Sequence, residues 1–282
     1  MSTAEEAGSA LVAPRSGRTV GKSPGRLGAW LHKAWLLRTL SVLVVLAGWQ
    51  LFGDKFSTSF PSDIVRAYPH AFWNDVLPAL EDTLKGFGAG FGVCVLIGVP
   101  VGLLMSRSRL VELALEPYVA ALYATPRLAL IPVLILWLGI DFKMRFAVVL
   151  VSGVFPIILN SYIGGKEVDR NLLDAGRAFA GSQLQIMRTI VVPASLPYIF
   201  AGLRLGMARA FIGIIVAEIE TSILGIGNLI SKDVQVLRFD EMWVAIITLG
   251  FLSLLFTTII KRTEHWATVP WERKRARRGM QA

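Results

Sequence analysis

An all-α membrane protein with six transmembrane helices is the fold class this sequence predicts, and three observations predict it. Apolar residues fill 54% of the 282 positions and charged residues only 17%, a balance that suits lipid rather than water. Several uncharged runs reach the ~20 residues that cross a bilayer core, where unpaired loop backbone could not persist. The Lys and Arg residues behind the net charge of +9 lie between those runs, gathered on alternate sides. Together these exclude a soluble enzyme, a secreted disulfide scaffold and a disordered tail protein. The single cysteine, Cys94, sits inside an apolar run and reads as a small packing residue.

Residues 1–35, rich in Ser, Gly, Ala, Pro and Arg, lack any apolar period and read as a disordered cytoplasmic arm. Leu36–Phe52 follows as a retained first span: it exceeds a signal-peptide core and runs into Trp49–Asp54, which is no cleavage site. Five further runs are expected as spans, at Leu84–Met105, Tyr118–Leu138, Phe146–Ile163, Leu196–Ala217 and Trp243–Ile260. In the second span, small residues recur four apart at Gly86/Gly90, Gly88/Gly92 and Gly98/Gly102, which lets helix backbones approach closely, either within the chain or against a second subunit. The third contains Pro117, Pro126, Pro132 and Arg127, so a kinked or partly broken helix is expected. Between the first two spans, Ser57–Glu81 holds a short amphipathic helix from Ser62 on the outer membrane face, with Pro61 ahead of it and Asp63 near its positive end. The membrane domain thus covers 36–262, with a long inner loop at about 164–193, and a basic cytoplasmic tail covers 263–282.

Charge placement sets the expected orientation. With the first residues inside, nineteen of the 29 Lys and Arg residues fall on the inner side, six (Lys55, Arg66, Lys143, Arg145, Lys232 and Arg238) fall on the outer side, and Lys85, Arg127, Arg204 and Arg209 fall in or at the edges of spans. That bias places both termini in the cytoplasm of a multi-pass protein of the inner (plasma) membrane. No basic stripe interleaved with aromatics is present, so membrane lipid rather than nucleic acid is the expected partner of the charge. Trp266 and Trp271 in the basic tail read as an interfacial belt.

Catalytic and metal chemistry find no support. His32, His70 and His265 are scattered over the arm, an outer loop and the tail, so no metal site and no nucleophile–base pair assembles from them. The run Gly17–Ser23, GRTVGKS, is one residue short of a phosphate-binding loop; no apolar strand precedes it, and Pro24 and Gly25 spoil the helix that would hold a phosphate. No cofactor is therefore expected in this chain. A secondary transporter and a non-transporting membrane scaffold are distant rival readings; for the first, the sequence displays neither an internal repeat nor an evident buried carboxylate.

The inner loop is long and patterned. Leu172, Leu173 and Ala175–Phe179 suggest one short helix, Gly181-Ser182 a break and a new N-cap, and Leu184, Met187 and Val191 the apolar stripe of a second helix stopped by Pro193. Two short helices joined by a small-residue turn on the cytoplasmic side form a docking element.

This loop resembles the cytoplasmic signature of permease subunits of ATP-binding-cassette importers, E-A-A-x-x-x-G followed by nine residues and I-x-L-P. Asp174 stands for the Glu, Ala175 and Gly176 for the two alanines, and Ile190, Val192 and Pro193 for the closing residues. The motif's Gly falls on Ala180 and a glycine follows at Gly181, so the turn is expected to be displaced by one residue. Pro61-Ser62-Asp63, PRLALIPVLILWLG at 126–139, FPIILN at 155–160 and PYIFAGLRLG through VAE at 197–218 are similar to the nitrate/taurine/sulfonate branch. The resemblance spans about residues 55 to 262. It implies a permease that forms the pathway for a small, anionic solute such as a sulfonate, taurine or nitrate, with a vitamin or pyrimidine precursor as the alternative. It also implies a second permease copy in a homodimer, cytoplasmic ATP-binding subunits that hydrolyse the ATP, and an external solute-binding protein. Leu172, Leu173, Asp174, Ala175, Gly176, Arg177, Ala180 and Gly181 would then form the coupling contact, with Asp174 pairing to a basic residue of the ATPase.

Two arginines of the fifth span are weighed separately. Arg204 lies near the cytoplasmic edge, where it can snorkel in a structural role. Arg209 is five residues deeper, where the branch resemblance implies an apolar residue, and a cation there is costly unless it faces a cavity or a partner. It is a pathway candidate facing an anion, or else it pairs with a neighbouring helix or a second subunit. Glu218 and Glu220 are expected as solvated groups at the outer face.

Overall fold

The structure is a computed structural model that describes residues 24–52, 59–221 and 224–279, with side chains from residue 35 to 268 of those segments. The GRTVGKS run and Trp271's side chain lie outside what is described. No strand occurs among the described residues. The chain divides into two units, Met1–Phe52 and Gly53–Ala282.

In the first unit, α1 runs Pro24–Phe52. It begins well before the expected span, so residues 24–35 are helical rather than part of a disordered arm. Proline is compatible with a helix's first turn, where its missing N–H would have no partner anyway, and the described helix includes both Pro24 and Gly25. Trp35–Phe52 is apolar and long enough to cross a membrane.

The second unit opens with α2, Pro61–Ala71, the expected amphipathic helix, started by Pro61 with Asp63 in its first turn. It passes through a π turn, Phe72–Val76, into α3, Leu77–Arg107. The third expected span is α4, Arg109–Ala124, a 3-10 turn at Arg127–Leu130 and α5, Ile131–Leu138. The pair bends by 92° across Thr125-Pro126. Proline removes a donor and crowds the preceding turn, so the break expected from the prolines falls at Pro126. Next comes α6, Phe142–Lys166, capped by the Asp141 side chain, which accepts from Phe142 N.

The inner loop folds as α7, Arg170–Ala178, and α8, Gln183–Ile186. A π turn, Met187–Val191, then joins α8 to α9, Val192–Thr221. Pro193 therefore does not stop the second loop helix; the helical path continues through it into the fifth span. In an α-helix the Pro193 ring would crowd the carbonyl four residues back, and the wider π turn, in which Val192 N–H reaches Met187 O, relieves that crowding. The same device precedes Pro78, where Leu77 N–H reaches Phe72 O. The unit closes with α10, Ile226–Gln235, and α11, Phe239–Gly279, which runs without a break from the sixth span into the basic tail.

Helices α3, α6 and α9 form the centre. Lipid is as apolar as a leucine side chain, so their association rests on close packing, and small residues provide it. A Cβ on Gly90 would sit 2.6 Å from the Val149 side chain, and one on Gly98 would sit 2.8 Å from that of Ile157. Gly86 faces Ile214 of α9 at 3.1 Å and Arg145 of α6 at 3.7 Å, Gly102 faces Ile158 and Ser161 of α6, and Gly88 and Gly92 meet nothing within 4 Å among the described residues. Phe87 stacks on Phe256 at 5.3 Å and meets Phe211 edge-on at 5.5 Å, tying α11 to the same core. Cys94 is fully buried, its thiol 3.6 Å from the Val149 carbonyl, in the packing role expected of it.

Candidate functional site

The α7–α8 element is built from local signals. Asp169 caps α7 by accepting from Asn171 N at 2.9 Å. Ser182 caps α8 in a reciprocal box: its hydroxyl accepts from Gln185 N at 3.2 Å, and Gln185 Oε1 accepts from Ser182 N at 2.8 Å. Between them Ala180 has φ +53°, so the left-handed residue stands at the motif's Gly position and the turn is not displaced to Gly181. Ala180 N donates to Arg177 O at 2.9 Å and Gly181 N to Gly176 O at 3.1 Å, closing the helix end. Gly181 is needed for space, because a Cβ there would lie 2.8 Å from the Gly176 carbonyl. Gly176 in turn admits Ile190, whose Cδ1 would be 2.8 Å from a Cβ. One face of the element is therefore fixed to the membrane helices: Leu173 and Ile186 are buried with Leu103, Val191 and Ile199.

The other face is open. Phe179 is 88% exposed and Leu184 59%. Leu172 and Ala175 also belong to this element, the first on its open side. Asp174 and Arg177 are both exposed and pair with each other at 3.1 Å, an exposed (i, i+3) contact of a few tenths of a kcal/mol. The carboxylate expected to meet an ATPase cation therefore has a partner in its own helix.

Beneath the element lies a polar anchor that the sequence did not reveal. Glu112 on α4 is 5% exposed; it accepts from Tyr162 Oη at 2.6 Å and Lys166 Nζ at 2.9 Å, both on α6, and pairs with Arg109 at 3.3 Å. Arg107 Nη2 donates to the Gly165 carbonyl, closing the end of α3 on the end of α6. These contacts hold the helix ends from which α7 departs. Apart from the (i, i+3) pair of Arg109 with Glu112, no spacing rule could have indicated them, because the partners are fifty or more residues apart.

Arg204 pairs with Glu264 on α11, which bears out its structural reading. Among the described residues, Arg209 has no carboxylate within 4 Å. Its Nη2 donates to Tyr123 Oη at 3.1 Å and its guanidinium lies 4.7 Å from the Tyr123 ring centroid. Arg127 occupies the same ring at 5.3 Å and donates to the Tyr123 carbonyl at 2.8 Å. The structure thus gathers Arg209 with two residues of the break in the third span.

Glu218 is no solvated outer group. It is fully buried, accepting from Thr83 Oγ1 at 2.9 Å and Gly227 N at 3.1 Å, with Arg145 Nη1 at 3.8 Å. Arg145, expected as an outer-loop cation, is itself only 9% exposed within α6. A chain that must place Arg145 among apolar helices supplies it a counter-charge, which is why Glu218 turns inward. A buried carboxylate is therefore present, contrary to the sequence reading, although Glu220 is exposed as expected.

Five candidate spans and one bent pair among the described residues, with the short α7–α8 element between the spans α6 and α9, have the build of a polytopic membrane permease. Residues 95–266 match the family model described as binding-protein-dependent transport system inner membrane component. The chain belongs to this family, the permease subunits of ATP-binding-cassette importers, and is a transport component rather than a catalyst. It is 30% identical to the putative aliphatic sulfonates transport permease SsuC of Escherichia coli, over 79% of this chain and 88% of that one. With the bicarbonate transport permease CmpB of Synechococcus elongatus it shares 26% over 91% and 98% of the two chains. With the nitrate import permease NrtB of Synechocystis it shares 27% over 83% and 90%. These relatives support the branch that the sequence resembles. A chain of the MetNI methionine transporter, solved in an inward-facing conformation, shares the fold with a TM-score of 0.62 at 18% identity, over 71% of this chain and 98% of that one. Membership implies ATP-binding and solute-binding partners.

Proposed function

We propose that this permease forms the pathway for a small anion, works as a homodimer, and receives the ATPase stroke through residues 170–186. The exposed, doubly capped α7–α8 element carries this reading. Its turn is closed by backbone hydrogen bonds and its inner face packs against α3 and α9, so a push on Phe179 and Leu184 would be transmitted to the spans rather than absorbed by a loose loop. An ATPase subunit closing on ATP would then bias the permease between inward- and outward-open arrangements.

An anionic cargo is supported by the relatives named for sulfonates, bicarbonate and nitrate. It is supported independently by Arg209, a cation within a span. The basic bias toward one side supports cytoplasmic termini, which would put α7–α8 in the cytoplasm. Copurification with an ATP-binding subunit, followed by ATP hydrolysis that depends on this chain and is stimulated by the external binding protein, tests the reading. ATP hydrolysis indifferent to this chain would refute it.

A further inference from the structure

We propose that Arg127, Tyr123 and Arg209 form an anion station at the break in the α4–α5 span, where the oxyanion head of the solute is held during passage. This rests on the reading of the protein as an anion permease and names the place and chemistry of recognition. Two guanidiniums address one tyrosine ring, at 5.3 and 4.7 Å from its centroid, so they lie no more than about 10 Å apart. Like charges this close within the membrane repel, and the arrangement needs a reason.

The reason is not an internal counter-ion. Among the described residues, Lys85, Arg145 and Arg204 each have a carboxylate within 4 Å, and neither Arg127 nor Arg209 has one. Donor capacity is also left over. Arg127 Nε is buried with no hydrogen-bond partner. Tyr123 Oη accepts from Arg209, and no hydrogen bond among the described residues uses its own proton. All three residues meet at the interruption of the helix, Tyr123 at the end of α4 and Arg127 just past the break.

Irregular backbone at membrane depth is tolerated only where protein buries it or where it lines an aqueous cavity. The 92° bend between α4 and α5 is irregular backbone of this kind. Arg127 donates to the Tyr123 carbonyl at the end of α4, which fixes its stem and leaves Nε and Nη1 to a ligand. A planar or trigonal oxyanion (nitrate, carboxylate or sulfonate) has several oxygens over which two guanidiniums and a phenol can be shared, geometry for which arginine suits better than lysine. Tyr123 acts as spacer and third donor, its face stabilising both cations while the station is empty.

The test uses the purified importer complex, permease with its ATP-binding subunit, titrated with sodium methanesulfonate and sodium nitrate against sodium chloride at constant ionic strength, with thermal unfolding as the readout. Wild type should show a saturable stabilisation by the two oxyanions beyond that by chloride. Arg127→Gln and Arg209→Gln should each weaken it about tenfold, the loss of one charge-assisted contact, and Arg209→Lys should retain part of it. If either glutamine variant fails to assemble, Tyr123→Phe, which keeps the ring and removes the hydroxyl, reports instead: weakened anion response supports the station and an unchanged one overturns it. Absence of any saturable oxyanion effect in wild type, as expected if a carboxylate of a second copy neutralises the arginines, overturns the proposal. So does an unchanged response in both glutamine variants. ATP hydrolysis stimulated by the binding protein, measured on the same wild-type preparation, reports on the permease reading itself, so the two can fail separately.

Discussion

Thr83 on α3 is both donor and acceptor in one buried junction: its Oγ1 donates to Glu218 Oε2 at 2.9 Å and accepts from Ile226 N at 2.9 Å. One hydroxyl thereby joins α3, the end of α9 and the start of α10. The junction needs glycine on either side of Ile226. Gly225 holds φ +92°, and a Cβ on Gly227 would lie 2.7 Å from that of Glu218.

Replacing Thr83 with Val keeps the shape but leaves the Ile226 N–H and one Glu218 lone pair unmet. Each buried unmet group costs about 1–3 kcal/mol. Glu218→Ala should cost more, about 3–5 kcal/mol, because Arg145 would remain buried without its counter-charge. Thermal unfolding of the purified permease checks both, and a Thr83→Val protein as stable as wild type would show that the junction is not a constraint.

Ala180 is expected to accept glycine with gain. A side chain in the left-handed region costs about 1 kcal/mol, and relief of that strain exceeds the added freedom of glycine in the unfolded chain by a fraction of it. Amide exchange at Gly181, whose N–H closes the turn, should slow in Ala180→Gly and accelerate in Ala180→Val.

Asp174→Lys should leave the fold intact and uncouple ATP hydrolysis from transport. Its intrahelical pair with Arg177 is exposed and contributes only about 0.5 kcal/mol. A reversed charge at a partly buried interface with the ATPase would cost about 1–3 kcal/mol. Transport at the wild-type rate per assembled complex would remove Asp174 from the coupling role.

Asp233 on α10 supplies a pH dependence. Burial, then the nearby Glu241 and Asp75 carboxylates, push its pKa up from 3.8 to about 6, against the opposing Arg238 and Lys232. The folded state therefore holds the proton more tightly than the unfolded chain. This stabilising contribution is full below about pH 4 and is lost as pH rises through about 6. Asp233→Asn should gain up to about 3 kcal/mol at pH 7 relative to wild type, with the advantage shrinking toward pH 4. Unfolding midpoints of the two proteins across that range measure it; a pH-independent difference would assign Asp233 another role.

Ser182 is exposed at the turn of the α7–α8 element. A cysteine there should react with a membrane-impermeant thiol reagent in inverted vesicles and stay protected in sealed cells, whereas cysteines at Ser62 and Ser231 should show the opposite pattern. Labelling of Ser182→Cys from outside would reverse the proposed orientation.

Elements governed by neighbours along the chain were legible in the sequence. The apolar runs, the break at Pro126 and the capping of α8 by Ser182 all express local rules: span length, the missing proline donor, and an orphan N–H taken up three residues away. The position of the turn at Ala180 was not legible, because residue type argues for glycine at φ > 0 while the surrounding packing, with Gly176 against Ile190 and Gly181 against the Gly176 carbonyl, sets which residue must take that conformation. The continuous helical path through Pro193 was hidden for a related reason: a π turn can absorb a proline, and nothing in the residue order announces one.

The sequence by itself determined that this chain lives in a membrane, where it crosses, and which loop stands out for docking, because hydropathy and capping act over a few residues. Only the tertiary structure decided how its internal charges are used. Glu218 meets Thr83 across 135 positions and Arg209 meets Tyr123 across 86. In a low-dielectric bundle the cost of a charge depends on what faces it, and the facing residue is chosen by helix packing, through glycines such as Gly90 and Gly98 that set how closely α3 lies against α6.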